Sequence, residues 1–424
     1  MLSDKNSATL VIYKFKERGR LLMTKASKNI RPRFLLFQYC LLQGGYWASF
    51  CAIYAFSTVL LLAKGFTSSQ IGITVALGNI LGVILQPVFA GIADSSKRIS
   101  IHRLTAVMTS LTAISFGLLY LFPKPALAVF TCFLATNTFL QVTQPLVNSV
   151  SIYYINHGVS VDFGVARAVG SISYAAASSA LGWLIEKKGA NVIIPAALLF
   201  LALMLLALLS MPALSSAETS VPSEQHAKPE TVREPFFHFF LRYRRFTLAL
   251  LGVTLLFTFH NMTNSYLIQI VESLGGDSAD MGAALSFAAV CELPVMLLFT
   301  KLKKRFSSSR LFVLSGFFFA AKAGAYLLAQ TVPQFLIAQI FQMGAFALYI
   351  PASVYYVNET MAPRDKFKGQ AVMTATNTLG GVIGSLLGGF LLDHSGVSPL
   401  LISGFTLSAA GAILLFFACR TRRQ

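Results

Sequence analysis

Apolar runs of about twenty residues or more recur along the chain, separated by short polar turns. The hydrocarbon core of a bilayer is about 30 Å thick, so a helix that crosses it needs about 20 apolar residues. The runs predict twelve transmembrane helices, spans 1 to 12, at residues 34–62, 69–92, 102–122, 126–152, 166–185, 191–212, 246–271, 280–300, 309–330, 333–356, 368–392 and 398–419. The expected fold class is therefore an all-α membrane protein.

A single long polar stretch interrupts the series after span 6. Its residues 213–240 are rich in Ser, Ala, Glu, Pro and Thr, a composition typical of a disordered cytoplasmic linker. The predicted organisation is a basic tail at 1–33, a six-helix bundle at 34–212, a linker at 213–245, a second six-helix bundle at 246–419 and a tail at 420–424.

The two bundles share a weak sequence echo. Span 5 ends in GWLIEKKG from Gly182, and span 11 ends in GFLLDHSG from Gly389, 207 residues later. Each segment ends the fifth span of its half, as two parallel repeats require. We therefore predict two pseudo-symmetric bundles, although a glycine, an aromatic residue and an acid also meet at many unrelated helix ends.

The composition supports the membrane class. The chain is 55% hydrophobic and 12% charged, whereas a soluble chain is about 45–50% apolar and about 25% charged. All five cysteines fall in apolar segments, which favours free thiols over a disulfide framework. No metal-ligand cluster, nucleotide-binding loop or protease motif occurs, so we expect no metal, no cofactor and no enzyme.

The basic residues indicate the orientation of the spans. The net charge is +18, and Lys and Arg concentrate in the two tails, in the middle segment and in the loops after spans 2, 8 and 10. Cytoplasmic loops carry such an excess, so both termini are expected in the cytoplasm and the protein in the cell membrane. We expect the charge to contact anionic lipids rather than nucleic acid, and we expect a monomer.

A polar stripe follows one face of span 4. Asn137, Gln141, Gln144 and Asn148 are spaced by four, three and four residues, so they share a helical face. Amides in lipid often join helices together. We favour the other interpretation, in which the stripe lines a water-filled cavity.

Other spans add polar and aromatic candidates for substrate binding. They are Tyr46 and Trp47 of span 1, Arg167 of span 5, Asn264 of span 7, Gln342 of span 10 and Asn377 of span 11. Amides and hydroxyls can bind a polyhydroxy compound while aromatic rings stack on its apolar face. The same set suits a nucleoside, and the arginine with a lysine suits a carboxylate.

Ionisable residues within the spans are the candidates for proton coupling. A carboxylate such as Glu292 costs about 2.5–3.5 kcal/mol at the bilayer centre, so a functional use is expected. Lys322 of the next span is its expected partner, either in a permanent structural ion pair or in a site that takes up a proton. His260 of span 7 is a weaker candidate, because a single histidine also serves in packing.

Two segments resemble the major facilitator superfamily, in the branch of lactose permease and of the phenylpropionate and nucleoside proton symporters. The sequence GIADSSKR at 91–98 is similar to the signature between helices 2 and 3, which implies a cytoplasmic gate at Gly91, Asp94 and Arg98. The sequence DFGVARAVGS at 162–171 resembles the branch's Phe-Gly-x-x-Arg-x-x-Gly segment, which implies a substrate contact for Arg167. The resemblance also implies two six-helix bundles around a central cavity.

The chain departs from lactose permease at the coupling site. Asn148 lies near the position of its sugar-binding glutamate, and Gln342 and Ala345 stand where it has a histidine and a proton-carrying glutamate. Glu292 falls where the relatives carry a carboxylate. A proton route in this chain would therefore depend on Glu292, with or without His260.

The predicted function is proton-coupled uptake of a small polar solute, an oligosaccharide or glycoside, by alternating access driven by a proton gradient. Alternatives are a nucleoside or aromatic-acid symporter, a drug or metabolite exporter of the same superfamily, and a membrane receptor without transport activity.

Overall fold

The computed structural model describes residues 31–95, 100–122, 125–212 and 236–420, and every regular element within these ranges is a helix. Eleven of the helices are long and apolar enough to cross a membrane. A bent pair, Pro32–Ala55 and Ser57–Ala63, meets at 44° and supplies a twelfth span. The protein is thus an all-α, multi-pass membrane protein, which confirms the predicted fold class.

The first half contains spans 1 to 6. Span 1 comprises the helices Pro32–Phe50 and Ser57–Ala63, joined by a π-helical turn at Cys51–Ala55. Spans 2 to 6 are Ser68–Ser95, Ile101–Leu121, Ala126–Asn156, Phe163–Lys188 and Ile193–Ser210, and a 3-10 turn at Ala190–Val192 precedes the last of them.

The second half contains spans 7 to 12. Span 7 is Arg244–Ser265 followed by Leu267–Ser273, span 8 is Ser278–Arg305 and span 9 is Ser308–Leu328. Span 10 is broken into Val332–Ala338, a 3-10 turn at Gln339–Met343 and Phe346–Thr360. A short 3-10 turn at Pro363–Asp365 leads into span 11, Lys366–Ser395, and span 12 is Val397–Cys419.

The predicted linker contains a short helix, Phe236–Arg242. Phe239 is buried, and its ring packs against those of Tyr243 and Phe246 at the start of span 7. The Tyr243 hydroxyl donates a hydrogen bond of 2.7 Å to the Asp365 carboxylate. Because this aromatic anchor orders the segment, the prediction of disorder does not hold for 236–240, and residues 213–235 lie outside the described ranges.

Glycine and acidic residues define several span ends. The Asp162 side chain accepts a hydrogen bond from the Val165 N–H at the start of span 5, and Asp277 forms a capping box with Asp280 at the start of span 8. Spans 5 and 11 end at Gly189 (φ 78°) and Gly396 (φ 85°), in the left-handed conformation that glycine adopts most readily. These glycines belong to the repeated segment noted in the sequence.

Both halves pack their spans in the same pairs. In the first half, span 1 contacts spans 5 and 6, span 4 contacts spans 2 and 3, and span 3 contacts span 6. The second half repeats each pair six spans later, so that span 7 contacts spans 11 and 12, span 10 contacts spans 8 and 9, and span 9 contacts span 12. The packing therefore has the internal pseudo-symmetry that the sequence echo predicts.

The halves meet where span 2 crosses span 11 and where span 5 crosses span 8. Gly389 packs directly on the Ser68 carbonyl oxygen at the first crossing, and Gly182 packs on the Ser278 carbonyl oxygen at the second. The Gly182 and Gly282 backbones are so close that a Cβ added at Gly182 would lie 3.0 Å from the Gly282 Cα. Small residues at such crossings let helix backbones approach closely.

Hydrogen bonds between the halves close the same end of the molecule, here called the sealed end. The Asp393 carboxylate accepts from the backbone N–H groups of Ser68 (2.9 Å) and Ser69 (2.8 Å) at the start of span 2. The buried Tyr266 hydroxyl donates to the Ser385 carbonyl oxygen at 2.6 Å and lies 3.1 Å from that of Ser68. The opposite end, where spans 2 and 8 finish, is here called the open end.

Enlarging a crossing glycine should destabilise the protein. In Gly282→Ala, the new methyl group would overlap the Ser178 carbonyl oxygen, and overpacking of this kind costs about 1–3 kcal/mol. Gly117→Ala is the matched control, because its methyl group would meet only the Leu198 methyl groups at 3.8 Å. We expect a lower apparent melting temperature in detergent for Gly282→Ala alone, and equal melting temperatures for the two variants would contradict the tight crossing.

Candidate functional site

A cavity of about 320 Å³ lies between the two halves. The first half contributes Trp47, Phe50, Tyr54, Ala55, Gln144, Arg167, Ser171 and Tyr174. The second half contributes Phe257, His260, Asn261, Asn264, Leu267, Ala284, Leu285, Ala288, Ala289, Glu292, Lys322, Gln339, Gln342 and Phe346. The lining combines aromatic rings, carboxamides and ionisable side chains, which suits a polar solute with an apolar face.

The first half presents an arginine on an aromatic wall. The rings of Trp47, Phe50 and Tyr54 contact one another in sequence, with centroids 5.4 and 4.9 Å apart. The Arg167 guanidinium carbon lies 4.0 Å from the centre of the Trp47 ring, and Arg167 donates a hydrogen bond of 2.7 Å to the Ser171 hydroxyl. Stacking and this hydrogen bond fix the guanidinium at the cavity wall.

The second half places a carboxamide between two opposite charges. The Lys322 ammonium donates a hydrogen bond of 2.6 Å to Oε1 of Gln342, and Nε2 of Gln342 donates one of 2.8 Å to Oε1 of Glu292. Gln342 therefore separates the expected partners Glu292 and Lys322, and of the two interpretations of the pair, a direct structural ion pair is not what the structure shows. Arg167 of the first half lines the same cavity as Glu292.

The break in span 10 sets the position of Gln342. The helix gives way to a 3-10 turn at Gln339–Met343, and Gly344 behind it packs so closely on the Phe318 ring that a Cβ would overlap the ring. The Gln339 carboxamide, from the same turn, accepts a hydrogen bond of 2.8 Å from the Tyr326 hydroxyl. Ala345 lies at the end of the break and is fully buried. Its methyl side chain offers the cavity no polar group.

His260 lines the cavity in an aromatic setting. Its ring stacks on Phe346 at 5.0 Å and 15°, and Nε2 lies 3.1 Å from Nδ2 of Asn264. Its Nδ1 is buried without a hydrogen-bond partner among the described residues. The ring therefore has a packing role, with one buried polar atom left without a described partner in this conformation.

The four amides of the span 4 stripe do not all face the cavity. Gln144 lines the cavity, whereas Gln141 donates to the Asn79 side chain at 2.9 Å and Asn148 accepts from the Gln43 side chain at 3.1 Å. Asn137 is buried with its amide 3.4 Å from the Val75 carbonyl oxygen. The predicted cavity face thus holds for Gln144 only, because the other three amides join span 4 to spans 1 and 2.

Two further predicted contacts also lie away from the cavity. Tyr46 is buried, and its hydroxyl is 3.4 Å from the Leu140 carbonyl oxygen of span 4. The Asn377 side chain accepts a hydrogen bond of 2.7 Å from the Tyr349 hydroxyl, which joins spans 11 and 10. Both residues satisfy neighbouring helices, so the proposed binding site does not include them.

The predicted gate is described only in part. Gly91 is exposed near the open end of span 2. The Asp94 side chain and Arg98 lie outside the described residues, so the gate remains a prediction.

The cavity also includes aromatic residues that the sequence did not single out. Phe257 and Phe346 contact the His260 ring from two sides, with centroids 5.8 and 5.0 Å away. The chain has 36 phenylalanines, so their identity alone carries no signal. The neighbouring Gly344 is a weak mark of the helix break that turns Phe346 towards the site.

Comparison with known proteins supports a transporter. The maltose permease of Geobacillus stearothermophilus is 27% identical over 84% of this chain and 87% of its own length. The probable 3-phenylpropionic acid transporter of Escherichia coli (strain K12) is 24% identical over 83% of this chain and 89% of its own length.

Solved structures support the same fold. The D323A mutant of the nucleoside transporter NupG superposes with a TM-score of 0.75 at 17% identity, covering 92% of this chain and 99% of that protein. The family model described as the MFS_1 like family matches residues 41–402. With its two pseudo-symmetric halves around a central cavity, the chain belongs to this family and is a transporter of the major facilitator superfamily.

Proposed function

We propose that the protein carries out proton-coupled uptake of a small polar solute, an oligosaccharide or glycoside, by alternating access. The observation that carries the proposal is the relay Lys322–Gln342–Glu292 on the wall of the central cavity. It brings the one carboxylate among the described lining residues within reach of any solute bound there.

The arrangement of the halves suits an inward-open state. The halves are joined at the sealed end through Asp393 and Tyr266. The basic loops that mark the cytoplasmic side follow spans 2 and 8, at the opposite end. The open end therefore faces the cytoplasm in this proposal, and rocking of the halves about the cavity would open the sealed end.

Gln342 gives proton uptake a structural consequence. An ionised Glu292 only accepts hydrogen bonds, so it fits the donating Nε2 of Gln342. A protonated Glu292 carries an O–H donor, which can donate to Oε1 of Gln342 in competition with Lys322. Protonation would therefore rearrange the relay and release a polar group towards the solute or towards another conformation.

The cavity wall favours a glycoside. Gln144, Asn261 and Asn264 offer donors and acceptors to hydroxyl groups, beside the aromatic wall of Trp47. The similarity to a maltose permease supports this class.

An aromatic acid is the second candidate. Among the described lining residues, the cations Arg167 and Lys322 face a single carboxylate, Glu292. The excess cation could hold a substrate carboxylate while the aromatic wall contacts its ring. The similarity to a phenylpropionic acid transporter supports this alternative.

Ligand-induced thermal stabilisation should separate the two classes. We expect maltose to raise the apparent melting temperature of the purified protein and phenylpropionate and uridine to leave it unchanged, since a ligand that binds the folded state stabilises it. Arg167→Gln should weaken the maltose effect by about tenfold or more, as expected for the loss of a hydrogen bond from a charged group.

Arg310→Gln is the matched control, because it removes one exposed arginine at the start of span 9, outside the cavity lining. The opposite result is that phenylpropionate alone stabilises the protein, and that this effect is lost in Arg167→Gln and kept in Arg310→Gln. The substrate class would then be an aromatic acid and not a glycoside.

Removing the titratable group of Glu292 should uncouple transport. Glu292→Gln keeps the side-chain volume and an oxygen for the Gln342 donor, but it cannot carry a proton. In proteoliposomes with an imposed pH gradient, we expect this variant to lose uphill accumulation of the stabilising compound and to keep its exchange between the two sides.

Glu186→Gln is the matched control, since Glu186 is exposed at the end of span 5, outside the cavity lining. Uphill accumulation by Glu292→Gln at the level of this control would remove Glu292 from coupling.

A further inference from the structure

A second cavity, of about 610 Å³, lies at the open end within the second half. The starts of spans 7 and 9 meet the ends of spans 10 and 12 there. Its lining residues are Leu241, Arg242, Tyr243, Arg244, Arg245, Phe246, Ser309, Tyr356, Thr360, Ala418 and Cys419. None of these residues lines the central cavity, so this is a separate site.

The charge of the lining is entirely positive. Arg242 lies 3.6 Å from the Asp365 carboxylate, which offsets its charge. Arg244 and Arg245 are exposed, and no carboxylate lies within 4 Å of either among the residues that the structure describes. Two guanidinium groups therefore remain for an external anion, and such groups bind phosphate oxygens in a bidentate manner.

The start of span 7 adds to the preference of this cavity for an anion. The helix Arg244–Ser265 begins at Tyr243 without a side-chain cap, and its first turn lines the cavity, so the partial positive charge of this helix end adds to that of the two arginines. Ser309 of span 9 and Thr360 of span 10 bring hydroxyl groups to the lining.

The cavity also borders an apolar outer surface. Span 12 exposes Phe416 and Phe417, at 43% and 54%, directly before the lining residues Ala418 and Cys419. Leu241 at the rim is 47% exposed. A ligand with a phosphate group and long apolar chains would satisfy both surfaces, whereas a free phosphate would use only the arginines.

We propose that this cavity binds the phosphate group of an anionic phospholipid, with the acyl chains along the exposed face of span 12. The lipid would contact the ends of four spans of the second half at once. Bound there, it stabilises their relative positions at the open end, and this role is independent of the transported solute.

The test uses the full-length protein in nanodiscs of phosphatidylcholine, with and without phosphatidylglycerol. We expect phosphatidylglycerol to raise the apparent melting temperature. The double variant Arg244→Gln/Arg245→Gln should need at least a roughly tenfold higher content of this lipid for the same shift, since a direct hydrogen bond from a charged group to a phosphate contributes more than about 1.4 kcal/mol. Gel filtration and stability in pure phosphatidylcholine establish that the variant is folded.

Lys304→Gln/Arg305→Gln is the matched control, because it removes two exposed charges from the same end of the molecule outside the cavity. We expect it to keep the phosphatidylglycerol effect. An equal loss in both double variants would indicate diffuse attraction of lipid and overturn the proposal. If inorganic phosphate stabilises the protein equally in pure phosphatidylcholine, the ligand of the cavity is free phosphate and not a lipid, and the proposal is wrong.

Discussion

A charged side chain inside an apolar helix bundle must find polar partners, and the centre of this protein is built on that constraint. Glu292 and Lys322 stand on adjacent spans, yet neither contacts the other directly. The Gln342 carboxamide satisfies both, because it accepts from the ammonium with one atom and donates to the carboxylate with the other. A directly paired carboxylate and ammonium would form a neutral unit with little reason to respond to a proton or a solute. The bridged pair keeps each charge dependent on an amide that can change partners.

The relay in turn requires an irregular span 10. A continuous helix through residues 339–345 would leave no 3-10 turn to carry Gln339 and Gln342 to the cavity. Broken helices at membrane depth occur where the backbone is buried in protein or lines a cavity, and this turn lies beside the central cavity. The helix hydrogen bonds lost at the break are thus given up where the chain forms the binding site. Gly344 lets the broken segment pack against the Phe318 ring.

The fold could be predicted because the bilayer imposes it. Each apolar run has to form a helix, and Gly189 and Gly396 end equivalent helices 207 residues apart. The site could be predicted only in part. A stripe of amides looks the same whether it faces water or a neighbouring helix, so Asn137, Gln141 and Asn148 could be separated from Gln144 only by locating Val75, Asn79 and Gln43. The expected partners Glu292 and Lys322 belong to neighbouring spans 8 and 9, whereas Gln342, which lies between them, comes from span 10, and no sequence pattern indicates that position.

The two crossings between the halves differ at the helix starts, and this difference affects how the halves can separate. Gly182 and Gly389 play equivalent parts, each on the first carbonyl oxygen of the helix it crosses. The helix starts differ, because span 8 is capped by its own Asp277, whereas at span 2 Thr67 caps the Gln70 N–H and Asp393 from the other half accepts from the Ser68 and Ser69 N–H groups. Separation of the halves therefore leaves the cap of span 8 intact and frees the Ser68 and Ser69 N–H groups of span 2, while the Gln70 N–H keeps its bond to Thr67. Asp393 is exposed, so water can replace these bonds, and the net cost is about 0.5–1.5 kcal/mol for each neutral bond and about 1.5–3 for one to a charged group. A seal of that strength can hold one conformation and still be opened by the binding energy of a solute and a proton.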